Sequence, residues 1–184
     1  MSVLPPRRIV VTGGPGSGKT SLIDALEDRG FPRSVEAGRA IIQDEVRAGG
    51  TALPWGDRQA YADRMLAREL ASHGMADGVA GPVFFDRGLP DIIGYLELCG
   101  LPVPAAVDAA ARRYRYDAMV FIAPPWPEIF TQDAERRQDL AEAERTCAAM
   151  ARVYPALGYA LVELPRVDVA ARVDFVLERL SVTS

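Results

Sequence analysis

Residues Gly13 to Ser21 read GGPGSGKTS, with glycine at 13, 14, 16 and 18, the only lysine of the chain at 19 and threonine at 20. Gly13, four residues, then Gly18, Lys19 and Thr20 is the spacing of a phosphate-binding loop. Glycines let the backbone curl until several N–H groups point inward, and the helix that follows adds its positive N-terminal end. Gly13, Gly14, Pro15, Gly16, Ser17, Gly18, Lys19, Thr20 and Ser21 are thus the expected triphosphate cradle. Lys19 is placed to reach the β- and γ-phosphates, and the Thr20 hydroxyl to ligate Mg²⁺.

Three further groups could act on that triphosphate. Asp86 ends the apolar run VFFD, at the sheet edge where ligands bind in such folds. It can serve Mg²⁺, accept a proton from an attacking hydroxyl, or simply cap the next helix. A water-activating motor would place glutamate next. Arg87 stands there instead, and a cation suits an anionic substrate better than the polarising of water. In SVEAGRAI, Glu36 and Arg39 either bind an acceptor's hydroxyls and phosphate or pair with each other at a helix start. In DAERRQ, Arg136 and Arg137 follow a proline-bounded loop. They form either a lid that closes on the transferring phosphoryl group or a solvated helix face with Asp133 paired to Arg137.

These residues need a scaffold. RRIVVTGG, PRSVEA, GPVFFDRG, DAMVFIAPP and GYALVELP read as five strands, PRSVEA the weakest. Helices are expected over 18–29, in GRAIIQDEVRA, in RQAYADRMLARELASHG behind an Asp57 cap, and near 89–98 and 104–113. Another spans Leu140 to Tyr154. The last follows an Asp168 cap, with Val169, Val173, Val176, Leu177 and Leu180 facing the core. Strands alternating with helices predict one doubly wound α/β domain over 1–184 with a parallel sheet covered on both faces. A substrate-side helical region near 37–74 and a lid-like segment near 124–140 belong to it. Trp126 is expected to cover the core, while Trp55 is left open between stacking and core cover.

The chain has 184 residues and a formal charge of −4, which argues against nucleic-acid binding through a broad basic surface. Arginine and tyrosine alternate in RRYRY, but this reads as a surface helix end. With Cys99 and Cys147 isolated and His73 the single histidine, no zinc site is expected. No apolar run approaches the ~20 residues of a membrane span. The N-terminus MSVLPPRR lacks a signal peptide's apolar core, so the expected location is the cytoplasm.

Together GGPGSGKT, EAGRAII, FFDRGLPD, RYRYDAMVFIAPPWPEIFTQDAERRQ and GYALVELP resemble a small P-loop family filed as an AAA-like ATPase domain. Its relatives include the ribosylnicotinamide kinase domain of the bacterial NAD regulator, and it is similar to nucleoside and nucleotide kinases. The resemblance covers roughly residues 8–180. It implies a parallel sheet ordered 2-3-1-4-5, triphosphate binding by Gly13 to Thr20, and Asp86 serving Mg²⁺ or the acceptor. It further implies Arg87 and Arg39 on the acceptor side, Arg136 and Arg137 in the lid, and Pro165 to Val167 beside the base.

The expected function is a Mg²⁺-dependent kinase passing the γ-phosphoryl of ATP to a small-molecule acceptor such as a nucleoside or nucleotide. Asp86 or Glu36 would be the base, and Lys19, Arg136 and Arg137 the cations at the transition state. The alternative is a nucleotide-dependent switch with slow hydrolysis and a protein or lipid partner. An NKxD-type guanine element needs a second lysine, so ATP is expected over GTP.

Overall fold

Four short apolar runs pair in parallel to form the sheet: β1 (Arg7–Gly13), β2 (Pro82–Asp86), β3 (Met119–Ala123) and β4 (Ala160–Glu163), in the order β2-β1-β3-β4. The structure is a computed structural model and describes residues 6–130 and 139–181. In register, Val11 lies opposite both Asp86 and Phe121. The carboxyl ends of β2, β1 and β3 therefore finish side by side, where the phosphate loop and Asp86 sit.

The expected five strands in order 2-3-1-4-5 are corrected to these four. PRSVEA contributes only an isolated bridge between Arg33 and Phe84. Its hydrogen bonds there run from the Phe84 N–H to the Pro32 carbonyl at 2.9 Å and from the Ser34 N–H to the Phe84 carbonyl at 2.8 Å. Pro32 has no N–H to extend the ladder, and by Glu36 the chain is already capping a helix. The segment is too short to become a strand.

Side chains alternate across the sheet, as period two requires. Ile9, Val11, Phe84 and Phe121 face one layer, built from α1 (Lys19–Asp28) and α7 (Val169–Leu180). Val10, Phe85, Val120 and Ile122 face the other, built mainly from α4 (Leu89–Leu98), α5 (Ala105–Arg113) and α6 (Leu140–Ala156). A helical pair, α2 (Ala37–Ala48) and α3 (Arg58–Met75), stands beside this core. Ile41, Ile42, Leu53 and Tyr61 make a smaller cluster there.

The caps follow the sequence closely. Asp57 accepts from the Ala60 N–H at 2.9 Å and Asp168 from the Ala171 N–H at 2.8 Å, as expected of N-cap carboxylates. Val173, Val176, Leu177 and Leu180 are buried, but Val169 is 38% exposed. It opens the first turn of α7, before the helix meets the sheet. RRYRY does end a helix, yet its last residue, Tyr116, is buried. Among the described residues, no helix is long and apolar enough to cross a membrane.

Candidate functional site

β1 ends in the glycine-rich turn and α1 begins at Lys19. Gly13 adopts φ +129°, and a Cβ there would lie 2.4 Å from the Ala123 carbonyl oxygen of β3. Gly16 has φ +67°, and its Cβ would lie 2.6 Å from the Phe130 ring. Both conformations are ones that only glycine adopts without strain. The turn is thus pressed against β3 on one side and against the chain leaving β3 on the other.

Inside the turn, the Lys19 ammonium donates to the Gly14 carbonyl at 2.6 Å and to the Ser17 hydroxyl at 3.3 Å. It is 5% exposed. A cavity of about 450 Å³ lies over this turn, lined by Pro15 to Ser21, Glu36, Arg39, Trp126, Phe130 and Arg172, among others. Val167, which the resemblance puts beside a base, is also on its wall.

Asp86 stands below the turn. The Thr20 hydroxyl donates to its Oδ2 at 3.1 Å, although the two residues are 66 positions apart. Its Oδ1 is buried and has no hydrogen-bond partner among the described residues. Burial, helped by repulsion from Glu36, raises its pKa, while Lys19, Arg87 and the Thr20 hydrogen bond pull it down. An orphaned carboxylate oxygen beside a hydroxyl is a hard-oxygen pair that fits Mg²⁺. Such an ion takes few protein ligands and completes its shell with phosphate oxygens and water. Among the described residues there is no cluster of three His, Cys, Asp or Glu side chains for an all-protein cage.

Arg87 follows Asp86 in a left-handed conformation, φ +75°, which costs a non-glycine residue about 1–2 kcal/mol. Its hydrogen bonds offset that strain. Nε donates to Glu36 Oε1 at 3.0 Å, and Nη1 to the Gly13 carbonyl at 2.9 Å and to Asp91 Oδ1 at 3.2 Å. Burial alone would disfavour its charge, but Glu36, Asp91 and Asp86 outweigh that and hold its pKa above the ordinary value. Arg87 lies just past the carboxyl end of β2, with its charge already balanced from within.

Glu36 is the junction. It caps α2 and is 6% exposed, lies 3.8 Å from the Arg39 guanidinium, and lines both the phosphate-loop cavity and a second, larger one. That second cavity is about 940 Å³, lies among α2, α3, α4 and the start of α6, and is walled mostly by apolar and aromatic side chains. The structure thus brings Lys19, Thr20, Asp86, Glu36, Arg39 and Arg87 to one edge of the sheet. Arg136 and Arg137 lie outside the described residues.

Three buried charged side chains at the candidate site escaped the sequence reading. Asp91 accepts from the Thr12 hydroxyl at 2.7 Å, the Tyr154 hydroxyl at 2.6 Å and the Gly88 N–H at 3.0 Å, tying β1, α4 and α6 together behind Arg87. Arg172 is 1% exposed and donates to the Ser17 carbonyl at 2.9 Å and the Pro165 carbonyl at 2.8 Å. Its guanidinium lies 4.8 Å from the Trp126 ring centroid. Trp126, expected as core cover, instead lines the phosphate-loop cavity. Glu69, on α3, is 5% exposed and lines the larger cavity. One signal was available for the last two. Arg172 falls four residues before Val176 and Glu69 four after Met65, both on otherwise inward helical stripes.

A family model described as an AAA domain matches residues 8–172. No functionally curated protein matches the sequence. Among solved structures, NadR protein in complex with NR is similar at 18% identity and TM-score 0.70 over 97% of this chain. This chain spans about half of NadR, 52% of that chain. Deoxyadenosine kinase from M. mycoides with bound dATP is similar at 11% identity and TM-score 0.60, covering 95% of this chain and 99% of that one. Thymidylate kinase from Ehrlichia chaffeensis is similar at 14% identity and TM-score 0.64, covering 95% and 98%. At these identities the likeness is one of fold: a parallel α/β sheet flanked by helices, as in P-loop kinases. With the family model matching most of its length, the chain belongs to the AAA domain family.

Proposed function

We propose that the protein is a Mg²⁺-dependent phosphotransferase that moves the γ-phosphoryl group of ATP to a hydroxyl of a small-molecule acceptor, such as a nucleoside or nucleotide. The observation that carries this reading is the pair of cavities meeting at Glu36. A hydrolase or a switch needs no second small-molecule cavity beside the phosphate cradle. A second cavity of about 940 Å³ opening on the same carboxylate is within the range of a small-molecule site. The likeness of fold to nucleoside and nucleotide kinases supports it.

In this reading Gly13 to Ser21 wrap the phosphates, and Lys19 leaves its internal acceptors for the β- and γ-oxygens. Thr20 and Asp86 hold the metal, which supplies charge neutralisation on the transferring group. The acceptor hydroxyl lies at Glu36. Its oxygen bonds to the γ-phosphorus as the bond from that phosphorus to the β–γ bridging oxygen breaks. ADP leaves, and the hydroxyl proton passes to the Glu36 carboxylate and on to solvent. Positioning and charge do most of the work. Arg87 and Asp91 fix Glu36 and the turn, Arg39 lies at the phosphate side, and Arg136 and Arg137 are assigned to a lid over 124–140. The chain acts as one domain with 37–74 on the acceptor side. ATP is favoured over GTP because no NKxD-type element is present.

The test is ADP release from Mg²⁺–ATP with and without a panel of nucleosides, nucleotides and small polyols. Release stimulated by one acceptor, with that acceptor gaining a phosphate by mass, is the expected result. Slow release that no panel member stimulates, with tight nucleotide binding, would move the assignment to a nucleotide-dependent switch.

Arg172 offers a separate check on the nucleotide side. It ties the loop after β4 to the phosphate turn through two carbonyls. Removing a charged donor from such acceptors costs about 1–3 kcal/mol. Arg172→Gln is therefore expected to raise the KM for ATP about 10-fold while kcat and the KM for the acceptor hold. Initial rates over an ATP series read this directly, and an unchanged KM would remove Arg172 from the nucleotide site.

A further inference from the structure

The phosphate turn is braced from behind by a charge that no opposite charge answers. Arg172, on α7, is 1% exposed. Its Nε donates to the Pro165 carbonyl and its Nη1 to the Ser17 carbonyl. Nη2 is buried as well and meets no acceptor among the described residues. No carboxylate among those residues pairs with the guanidinium. Burial, with repulsion from Arg166, lowers its pKa, yet an arginine keeps its charge at neutral pH. Other buried charges of the protein are matched: Glu45 by Arg64, and Glu36 and Asp91 by Arg87.

A brace alone does not call for this arrangement. Neutral donors can hold two carbonyls, and a charge buried without its opposite is costly. The Trp126 ring, its centroid 4.8 Å from the guanidinium, offers a π face but no net charge. Such a cost is offset where a ligand brings the negative charge. Arg172 lines the cavity over the phosphate turn, so that is where the ligand would bring it.

The lining of this cavity falls into two groups. Lys19 and Thr20, with Asp86 against the Thr20 hydroxyl, mark the place of the terminal phosphates and the metal. Trp126, Ile129, Val167 and Val169 form an apolar group suited to a flat ring. Arg172 touches both. It holds Ser17 of the turn on one side and faces Trp126 on the other. A Cβ on Gly18 would stand 3.1 Å from Arg172 Nη1 and 3.1 Å from Ile129 Cδ1. A nucleotide with its terminal phosphates in the turn and its base on the apolar group therefore carries its first phosphate past Arg172.

We propose that Arg172 is a ligand of the nucleotide's α-phosphate, with Nη2 donating to one non-bridging oxygen. The last helix of the fold thus supplies the counter-charge at the end of the phosphate chain that Lys19 does not serve. The proposal rests on the nucleotide binding in the phosphotransferase reading and on none of its chemistry.

The test is calorimetric titration of the full chain in Mg²⁺, without acceptor. The nucleotides are ATP, the Rp and Sp forms of ATPαS, in which sulfur replaces one or the other α-oxygen, and ATPγS. One ATPαS isomer is expected to bind about 5-fold more weakly than the other, because sulfur is a poor acceptor for a charged donor. Arg172→Gln is expected to weaken ATP about 10-fold and to remove the difference between the isomers. Any difference between ATPγS and ATP should persist in that variant, since Lys19 is untouched.

A residue that only shapes the turn would weaken all four nucleotides alike in Arg172→Gln and leave the isomer preference as it was. That result would overturn the proposal. So would equal binding of the two isomers by the wild-type protein, which needs no variant and is read even where Arg172→Gln fails to fold. Either outcome, with ATP bound, leaves the phosphotransferase reading intact. An isomer preference that Arg172→Gln abolishes, in a protein that phosphorylates no member of the acceptor panel, would uphold the proposal and overturn that reading instead.

Discussion

Asp86→Asn is expected to lower kcat by roughly 1,000-fold, a loss in the upper range for one precisely placed electrostatic group. The carboxylate sits at the end of β2 against the Thr20 hydroxyl, with Oδ1 buried and unpartnered among the described residues. Asparagine keeps the shape and can still accept from Thr20. It removes the negative charge that would hold the metal. The fold should survive, and the direction of the pKa shift says why. Burial and Glu36 raise the folded-state pKa of Asp86. Its contribution to stability is therefore full below the unfolded-state pKa and is lost as pH rises through the folded one. At neutral pH the ionised group is a burden that asparagine lifts. Steady-state rates at saturating Mg²⁺–ATP, beside thermal midpoints at neutral pH, read both effects. Wild-type turnover in this variant would end the role assigned to Asp86. A lower midpoint would contradict the account of its burial.

The second large effect is expected at Lys19. Lys19→Ala should abolish measurable turnover, a fall of at least about 1,000-fold, and should weaken nucleotide binding as well. Its ammonium is bonded to the Gly14 carbonyl and the Ser17 hydroxyl inside the turn. Both partners belong to the loop itself, so the charge is held near where phosphate oxygens would arrive. No other lysine exists in the chain to replace it. The turn does not depend on it for shape. Gly13 and Gly16 set that through their backbone angles, and the Ser17 hydroxyl still donates to the Gly14 carbonyl at 2.8 Å. Titration of nucleotide with the variant separates the two losses. Unimpaired kcat would sink the transition-state role, and unimpaired affinity would sink the ground-state one.

What the sequence determined by itself is what short-range chemistry can specify. The phosphate turn is contiguous, so its glycines, lysine and threonine are legible at once. Runs such as RIVV and VFFD and the caps Asp57 and Asp168 act within a few residues, and these features took their expected forms. The P-loop α/β class follows from their alternation. The second strand failed because a run's tendency to extend is not a ladder. Pro32 withholds a donor, and Glu36 turns the chain into α2.

The tertiary structure decided everything that depends on distant residues meeting. The pairing of Thr20 with Asp86 spans 66 positions, and that of Ser17 with Arg172 spans 155. Whether Arg87 meets a ligand or a neighbour was undecidable from FFDRG. Packing places Glu36 and Asp91 against it. Glu69 acquires its setting only when the helices pack, which buries it on the wall of the larger cavity with Tyr61 and Met65. A charge's meaning depends on what lies across the gap from it, and only the packed helices specify that gap.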